Sequence, residues 1–127
     1  MRYILDTHAA IWFITDNNKL PADSKKRIED PDNECLVSAA SLWEIAIKHS
    51  LGKLDLKLTL RDVFNLIEQS HLHMLSITSE HILAISDLPF HHRDPFDRMI
   101  IGQGRIEKAR IITKDAHFSR YGIETVW

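Results

Sequence analysis

Cysteine is almost missing: Cys35 is the single example in 127 residues. That excludes an intrachain disulfide and fits a reducing compartment, expected to be the cytoplasm. Long apolar runs are missing too. The densest, residues 9–14, falls far short of the roughly 20 residues that a membrane helix needs. No signal-peptide core is expected, because Asp6 interrupts the opening apolar stretch. Glycine and proline number four each, and they form no linker, repeat or low-complexity tract. Charge of one sign is also lacking: 16 Lys plus Arg stand against 18 Asp plus Glu, a net charge of -2. A chain this neutral cannot hold a polyanion by bulk positive charge, so nucleic-acid binding requires a local patch or a metal. Secreted, membrane, collagenous and disordered classes fall away. The expectation is one soluble intracellular domain over residues 1–127.

What is present is an alternation of short β-like runs and helical periods. Residues 2–5 read as a buried strand with Asp6 at its end, followed by an apolar helix over 8–14. A polar helix over 22–28 starts beside Pro21. Cys35-Leu36-Val37 is a second strand and 42–49 a helix, with Gly52 as its stop. Apolar residues Leu60, Val63, Phe64 and Ile67 have helical spacing. Residues 72–77 form a strand, 80–85 a short helix, 95–108 a long helix and 110–113 a strand. Residues 123–127 supply an edge strand. This order predicts an α/β fold with a central, mostly parallel twisted sheet and helices on both faces. Ligands then collect beyond the carboxyl ends of the strands.

Four acids fall at that edge: Asp6, Glu44, Asp97 and Asp115. Each has a local use. Asp6 suits the N-cap of the helix that follows it. Ser41-Leu42-Trp43-Glu44 has the form of a capping box, and Glu44 stands four residues before Lys48. In Asp94-Pro95-Phe96-Asp97, Asp94 suits the N-cap, Pro95 the first helical position and Asp97 the first turn. Asp115 suits the cap of a turn through Ala116-His117. Capping does not explain why all four lie at one edge. Asp97 leads a stripe with Ile100, Ile101 and Gly104, an expensive place for a carboxylate without a cation. Gly102 and Gly104 each weaken that helix by about 1 kcal/mol relative to alanine, which a close approach to the sheet would justify. Two carboxylates about 4 Å apart repel by roughly 4 kcal/mol at an effective dielectric of 20. A hard divalent ion removes that conflict, and oxygen ligands without cysteine select Mg²⁺, with Mn²⁺ as a substitute. Such a site suits phosphodiester cleavage.

The combined pattern resembles the PIN domain family, the small nuclease fold of VapC-type toxins. The residues that carry the resemblance are Leu5-Asp6-Thr7, Ser41-Leu42-Trp43-Glu44-Ile45, His91-His92-Arg93-Asp94-Pro95-Phe96-Asp97-Arg98-Met99-Ile100 and Ile111-Ile112-Thr113-Lys114-Asp115, with His117-Phe118 following. The resemblance implies a three-layer α/β/α fold and a Mg²⁺-dependent endoribonuclease that cuts single-stranded RNA by metal-activated water. The implied products carry a 5′-phosphate and a 3′-hydroxyl. It implies Asp6, Glu44 and Asp97 as core metal ligands, Asp115 as a fourth acid acting through water, and Thr7 and Thr113 as supporting hydroxyls. Asp94 and Asp97 both fit the third-acid slot. Asp97 is preferred because Ile100-Ile101-Gly102 follows it, which leaves Asp94 as the cap. The implied partners are RNA, an antitoxin encoded by a neighbouring gene, and a second copy of the chain.

Arg93, Arg98 and Lys114 stand beside these acids as candidate RNA-phosphate contacts. His91 and His92 are candidates for RNA contact or proton transfer. Trp12, Phe13 and Trp43 occupy helical positions typical of a core or a subunit interface. Two other readings fit less of the chain. A haloacid-dehalogenase-like phosphatase wants a second acid two residues after Asp6, where His8 stands. A receiver-like or catalytically silent Mg²⁺-binding interaction module is the remaining alternative. A receiver wants an aspartate after the third strand, where the chain reads Ile77-Thr78-Ser79-Glu80.

Overall fold

The computed structural model describes all residues, 1–127. Five strands, β1 (Arg2–Leu5), β2 (Glu34–Ser38), β3 (Leu72–Leu75), β4 (Arg110–Ile112) and β5 (Thr125–Val126), form one sheet in the order β3-β2-β1-β4-β5. Every pairing is parallel, so the sheet is wholly rather than mostly parallel. Helical connections force this, because each strand is followed by a segment that returns the chain to the same starting edge. The helices are α1 (Thr7–Ile14), α2 (Ala22–Glu29), α3 (Ala39–Ser50), α4 (Leu60–Gln69), α5 (Ser79–Ser86) and α6 (Pro95–Glu107), with a short 3-10 helix at Ala116–Tyr121.

Alternation along the strands divides the core in two. Tyr3, Leu5, Cys35, Val37 and Ile112 pack with α1, α3 and α4 on one face, through Ile11, Ile45, Val63 and Ile67. Ile4, Leu36 and Ile111 pack on the other against Ile100, Ile101, Phe118 and Tyr121. Both sheet faces are covered, as the uninterrupted apolar character of β1 and β4 requires. No helix is long and apolar enough to cross a membrane.

β1 lies at the centre, and the chain moves outward from it first through β2 and β3, then through β4 and β5 on the other side. The segments leaving β1 and β4 therefore diverge, and a crevice opens beyond their carboxyl ends. Asp6 and Thr113 stand at that crevice.

Two local expectations need correction. Helix α3 starts three residues earlier than its periodicity suggests, because Ser38 caps it by accepting from the Ala40 N–H at 3.0 Å. Ser41 is therefore inside the helix and buried, and Ser41-Leu42-Trp43-Glu44 is no capping box. The glycines of α6 also divide. A Cβ at Gly104 would strike Ile123 and lie 3.3 Å from Ile111, so Gly104 does face the sheet side. A Cβ at Gly102 would instead lie 2.8 Å from Ile85 Cγ1 and 3.3 Å from the His81 carbonyl, both on α5. Gly102 sets the α5–α6 approach. Replacing Gly102 by valine should lower stability by about 2 kcal/mol, read as a lower denaturant midpoint at unchanged slope. Alanine should be milder, since the flexible Ile85 side chain can shift and the helix gains about 1 kcal/mol of propensity.

Candidate active site

The site is built from four pieces of chain. Asp6 follows β1, where its N–H donates to the Ile112 carbonyl at 3.0 Å and so extends the sheet ladder. Its Oδ1 accepts from the Ala9 N–H at 2.8 Å and caps α1. Its Oδ2 accepts from the Thr113 hydroxyl at 2.5 Å. The Thr113 oxygen accepts in turn from the Asp115 N–H at 3.0 Å, so the ends of β1 and β4 are tied through one hydroxyl. Glu44, on the second turn of α3, is 4% exposed. Its Oε1 accepts from Thr7 Oγ1 at 2.5 Å and its Oε2 from Lys48 Nζ at 2.8 Å. Thr7 Oγ1 lies also 3.1 Å from Ser41 Oγ.

Two more acids come from α6 and its approach. Asp94 Oδ1 caps the helix by accepting from the N–H groups of Phe96 and Asp97, at 2.9 and 3.1 Å. Asp97 caps nothing, and its Oδ2 lies 3.0 Å from His92 Nε2. Asp115 Oδ1 caps the 3-10 helix through the His117 N–H at 2.9 Å, while its Oδ2 lies 3.7 Å from the same His92 nitrogen. The ring's other nitrogen, Nδ1, accepts from the Asp94 N–H at 3.0 Å. That bond leaves the hydrogen on Nε2, where it donates to Asp97. Capping and convergence are thus not rivals. Asp6 and Asp115 each cap a helix with one oxygen and keep the other for the cleft.

Asp6, Glu44, Asp94, Asp97 and Asp115 line one cleft of about 120 Å³, with Lys48 as its only lysine or arginine. Asp97 feels this most: burial pushes its carboxyl up to about 7, and the charges of Asp94, Glu44, Asp6 and Asp115 add to the rise. Burial also raises Asp6, against the hydrogen bonds from Thr113 and Ala9, which lower it. Lys48 is held above the ordinary lysine value by its bond to Glu44. A carboxylate cluster with one cation among five acids is a poor arrangement in isolation and a good one around a hard divalent ion. The donor set fits Mg²⁺ or Mn²⁺: carboxylate oxygens dominate, Cys35 is buried in β2, and His92, Asp97 and Asp115 bring ligand atoms within 4.8 Å of one another.

Asp6, Glu44, Asp97 and Asp115 therefore share one place, with Thr7, Thr113 and Asp94 at its walls. The basic candidates do not share it. Arg98 is 6% exposed, and its guanidinium donates to the carbonyls of Pro89 at 2.9 Å and of Ile85, Leu88 and His92 at 3.3 Å. It is not available to RNA. Its work is to pin the segment before α6, including His92, and the Phe90 ring lies 4.2 Å from it. Arg98→Met should cost about 2–3 kcal/mol, because those carbonyls lose a charged partner. Thermal unfolding checks this, with weakened metal binding expected alongside. Arg93 is exposed and lines a separate groove with Trp43 and Phe96. Lys114 is exposed and lines a pocket with Asp6 and Asp115. Trp12 and Phe13 are partly buried against the larger core, whereas Trp43 is 63% exposed. His92, which pattern alone left undefined, is the residue that joins Asp97 to Asp115; its place just before the Asp94 cap was the available signal.

The sequence pattern of the PIN domain family matches residues 3–124. No curated protein matches the chain. Among solved structures, VapBC2 from Rickettsia felis, bound to a DNA fragment from its promoter, superposes with a TM-score of 0.75 at 19% identity, over 99% of this chain and 98% of that one. VapBC-1 from nontypeable Haemophilus influenzae gives 0.72 at 18% identity, over 99% and 97%. FitAcB from Neisseria gonorrhoeae gives 0.62 at 14% identity, over 98% and 96%. At these identities the likeness is one of fold.

Proposed function

We propose that this chain, which belongs to the PIN domain family, is a Mg²⁺-dependent endoribonuclease that acts in the cytoplasm as the toxin of a toxin–antitoxin pair. One observation carries the reading: acids from separate elements, distant along the chain, share one cleft, where burial and then the charges of its neighbours push the Asp97 carboxyl up to about 7. Asp6, Glu44 and Asp97 would hold the ion, with Asp115 orienting water. The bound ion supplies Lewis acidity, which makes water a competent nucleophile at neutral pH and offsets charge on the phosphate. Thr113 fixes Asp6, and Thr7 and Lys48 fix Glu44, so the ligands need little reorganisation. His92 donates from Nε2 to Asp97, with Asp115 Oδ2 3.7 Å from the same nitrogen, and so holds Asp97 toward Asp115. Attack by water on phosphorus would leave a 5′-phosphate and a 3′-hydroxyl.

The antitoxin partner is supported by the structural neighbours, which are toxin–antitoxin complexes. A second copy of the chain is supported by large apolar side chains left in the open, Phe90 (79% exposed), Leu83 (59%) and Ile82 (56%). Induced expression with and without the adjacent small open reading frame tests the whole reading. Growth arrest relieved by the neighbour, with new RNA ends bearing 5′-phosphates, is the expected outcome. RNA left uncut, with Mg²⁺ and a partner still bound, would instead describe a catalytically silent module.

A further inference from the structure

Beyond the acids lies a second hollow of about 340 Å³, walled by Asp6, His8, Trp12, Lys114, Asp115 and Trp127. Asp6, His8 and Asp115 also wall the acidic cleft, so the two are continuous. Its aromatic side is a row. His8 and Trp12 stand one helical turn apart on α1, with ring centroids 5.6 Å apart, and Trp12 and Trp127 are 5.8 Å apart. Facing them is Lys114, on the segment that leaves β4. It is exposed and makes no ion pair. Packing alone does not require this arrangement. Trp12 and Trp127 rest on the larger core yet both keep part of their surface open.

We infer that this hollow is a nucleobase subsite. The base next to the scissile phosphate of a single-stranded RNA would stack on the Trp127 ring, which is tilted 59° from Trp12, since Lys19 Nζ already lies 5.8 Å from the Trp12 ring centroid, and Lys114 would hold a neighbouring phosphate. The inference rests on the nuclease reading for its occupant. Several observations favour a nucleotide. The hollow opens directly onto the proposed cutting site. It offers π-faces, which every base can use. Its unpaired cation stands where a flanking phosphate would pass, while Asp6 and Asp115 exclude anions from the floor. An extended RNA strand could therefore run from Lys114 across the aromatic wall into the acids without crossing another element.

The test is binding of a fluorescein-labelled single-stranded RNA of mixed sequence in EDTA, followed by anisotropy and by intrinsic tryptophan emission. The wild-type protein should bind with quenched tryptophan fluorescence. Trp127→Ala should weaken binding about tenfold or more, the value of one lost base stack. Trp127→Phe should restore most of it, which separates stacking from packing, and circular dichroism checks that each variant is folded. Lys114→Gln should weaken binding and lower the salt dependence by about one released counterion. A folded Trp127→Ala variant that binds RNA as tightly as wild type overturns the subsite, as does unquenched emission on saturation. Protection of Trp127 by a co-expressed protein partner but not by RNA overturns it equally, and assigns the hollow to a peptide. The two readings fail separately. RNA that binds and quenches but stays intact with Mg²⁺ sinks the nuclease reading alone, and normal cleavage with Trp127-independent binding sinks the subsite alone.

Discussion

Purified Asp97→Asn protein should fold normally and cut RNA at least about 100-fold more slowly than wild type. Asparagine keeps the shape and one oxygen of the side chain, so the loss reports charge. The matched control is Asp94→Asn. Asp94 uses Oδ1 to cap α6, and asparagine is as good an N-cap as aspartate, so this variant should keep activity within a few-fold. The pair of variants decides which of the two acids is the ligand. Equal rates for Asp97→Asn and wild type would remove Asp97 from the site. A large loss in Asp94→Asn alone would move the third ligand to Asp94.

The second large effect is a pH-dependent stability that a metal abolishes. Asp97 ionises at about 3.8 when unfolded and about 7 in the fold. Below the lower value it is neutral in both states and contributes nothing. Between the two, the unfolded chain has released the proton that the folded chain keeps, so each unit of rising pH favours unfolding. Above about 7 the penalty is constant. Asp97 is largely buried, and the gap corresponds to at most about 4 kcal/mol. Raised ionisation at Asp6 acts in the same direction. Metal-free protein should therefore lose thermal stability steadily from pH 4.5 to about 7. Mg²⁺ should restore it at pH 8 and do little at pH 5, because an ion that binds only the folded carboxylates adds stability by mass action. Asp97→Asn should flatten the metal-free curve. A melting temperature that rises over this window, or that Mg²⁺ shifts equally at pH 5 and pH 8, would contradict the electrostatic account.

Much of this was legible in the sequence, for reasons that individual residues make plain. Short continuous apolar runs placed β1, β2 and β4, because both sheet faces are buried there, and apolar residues at helical spacing placed the long helices. Boundaries were less legible. Ser38 and Ser41 are chemically equivalent cap candidates, and only the backbone decides between them. The 3-10 helix at Ala116–Tyr121 is too short to give a period of its own. At the site, the acids could be found because carboxylates are costly on apolar stripes. The work of Arg98 was hidden because an arginine beside an aspartate suggests a phosphate contact. Its spacing from Ile101 and Gly102, three and four residues, does place it on the buried face of α6. Nothing local could reveal that Thr113 bonds Asp6 across 107 residues, or that His92 bridges two acids. Those contacts exist only once β4 lies beside β1.

The claim beneath these expectations is that Asp6, Glu44 and Asp97 share a divalent ion. Anomalous diffraction from crystals soaked in Mn²⁺ measures this directly. The account predicts a strong peak inside the cleft, within bonding distance of those carboxylates and absent in Asp97→Asn crystals. A cleft that stays empty in Mn²⁺, with Asp97 still on His92 and Asp6 still on Thr113, would contradict it.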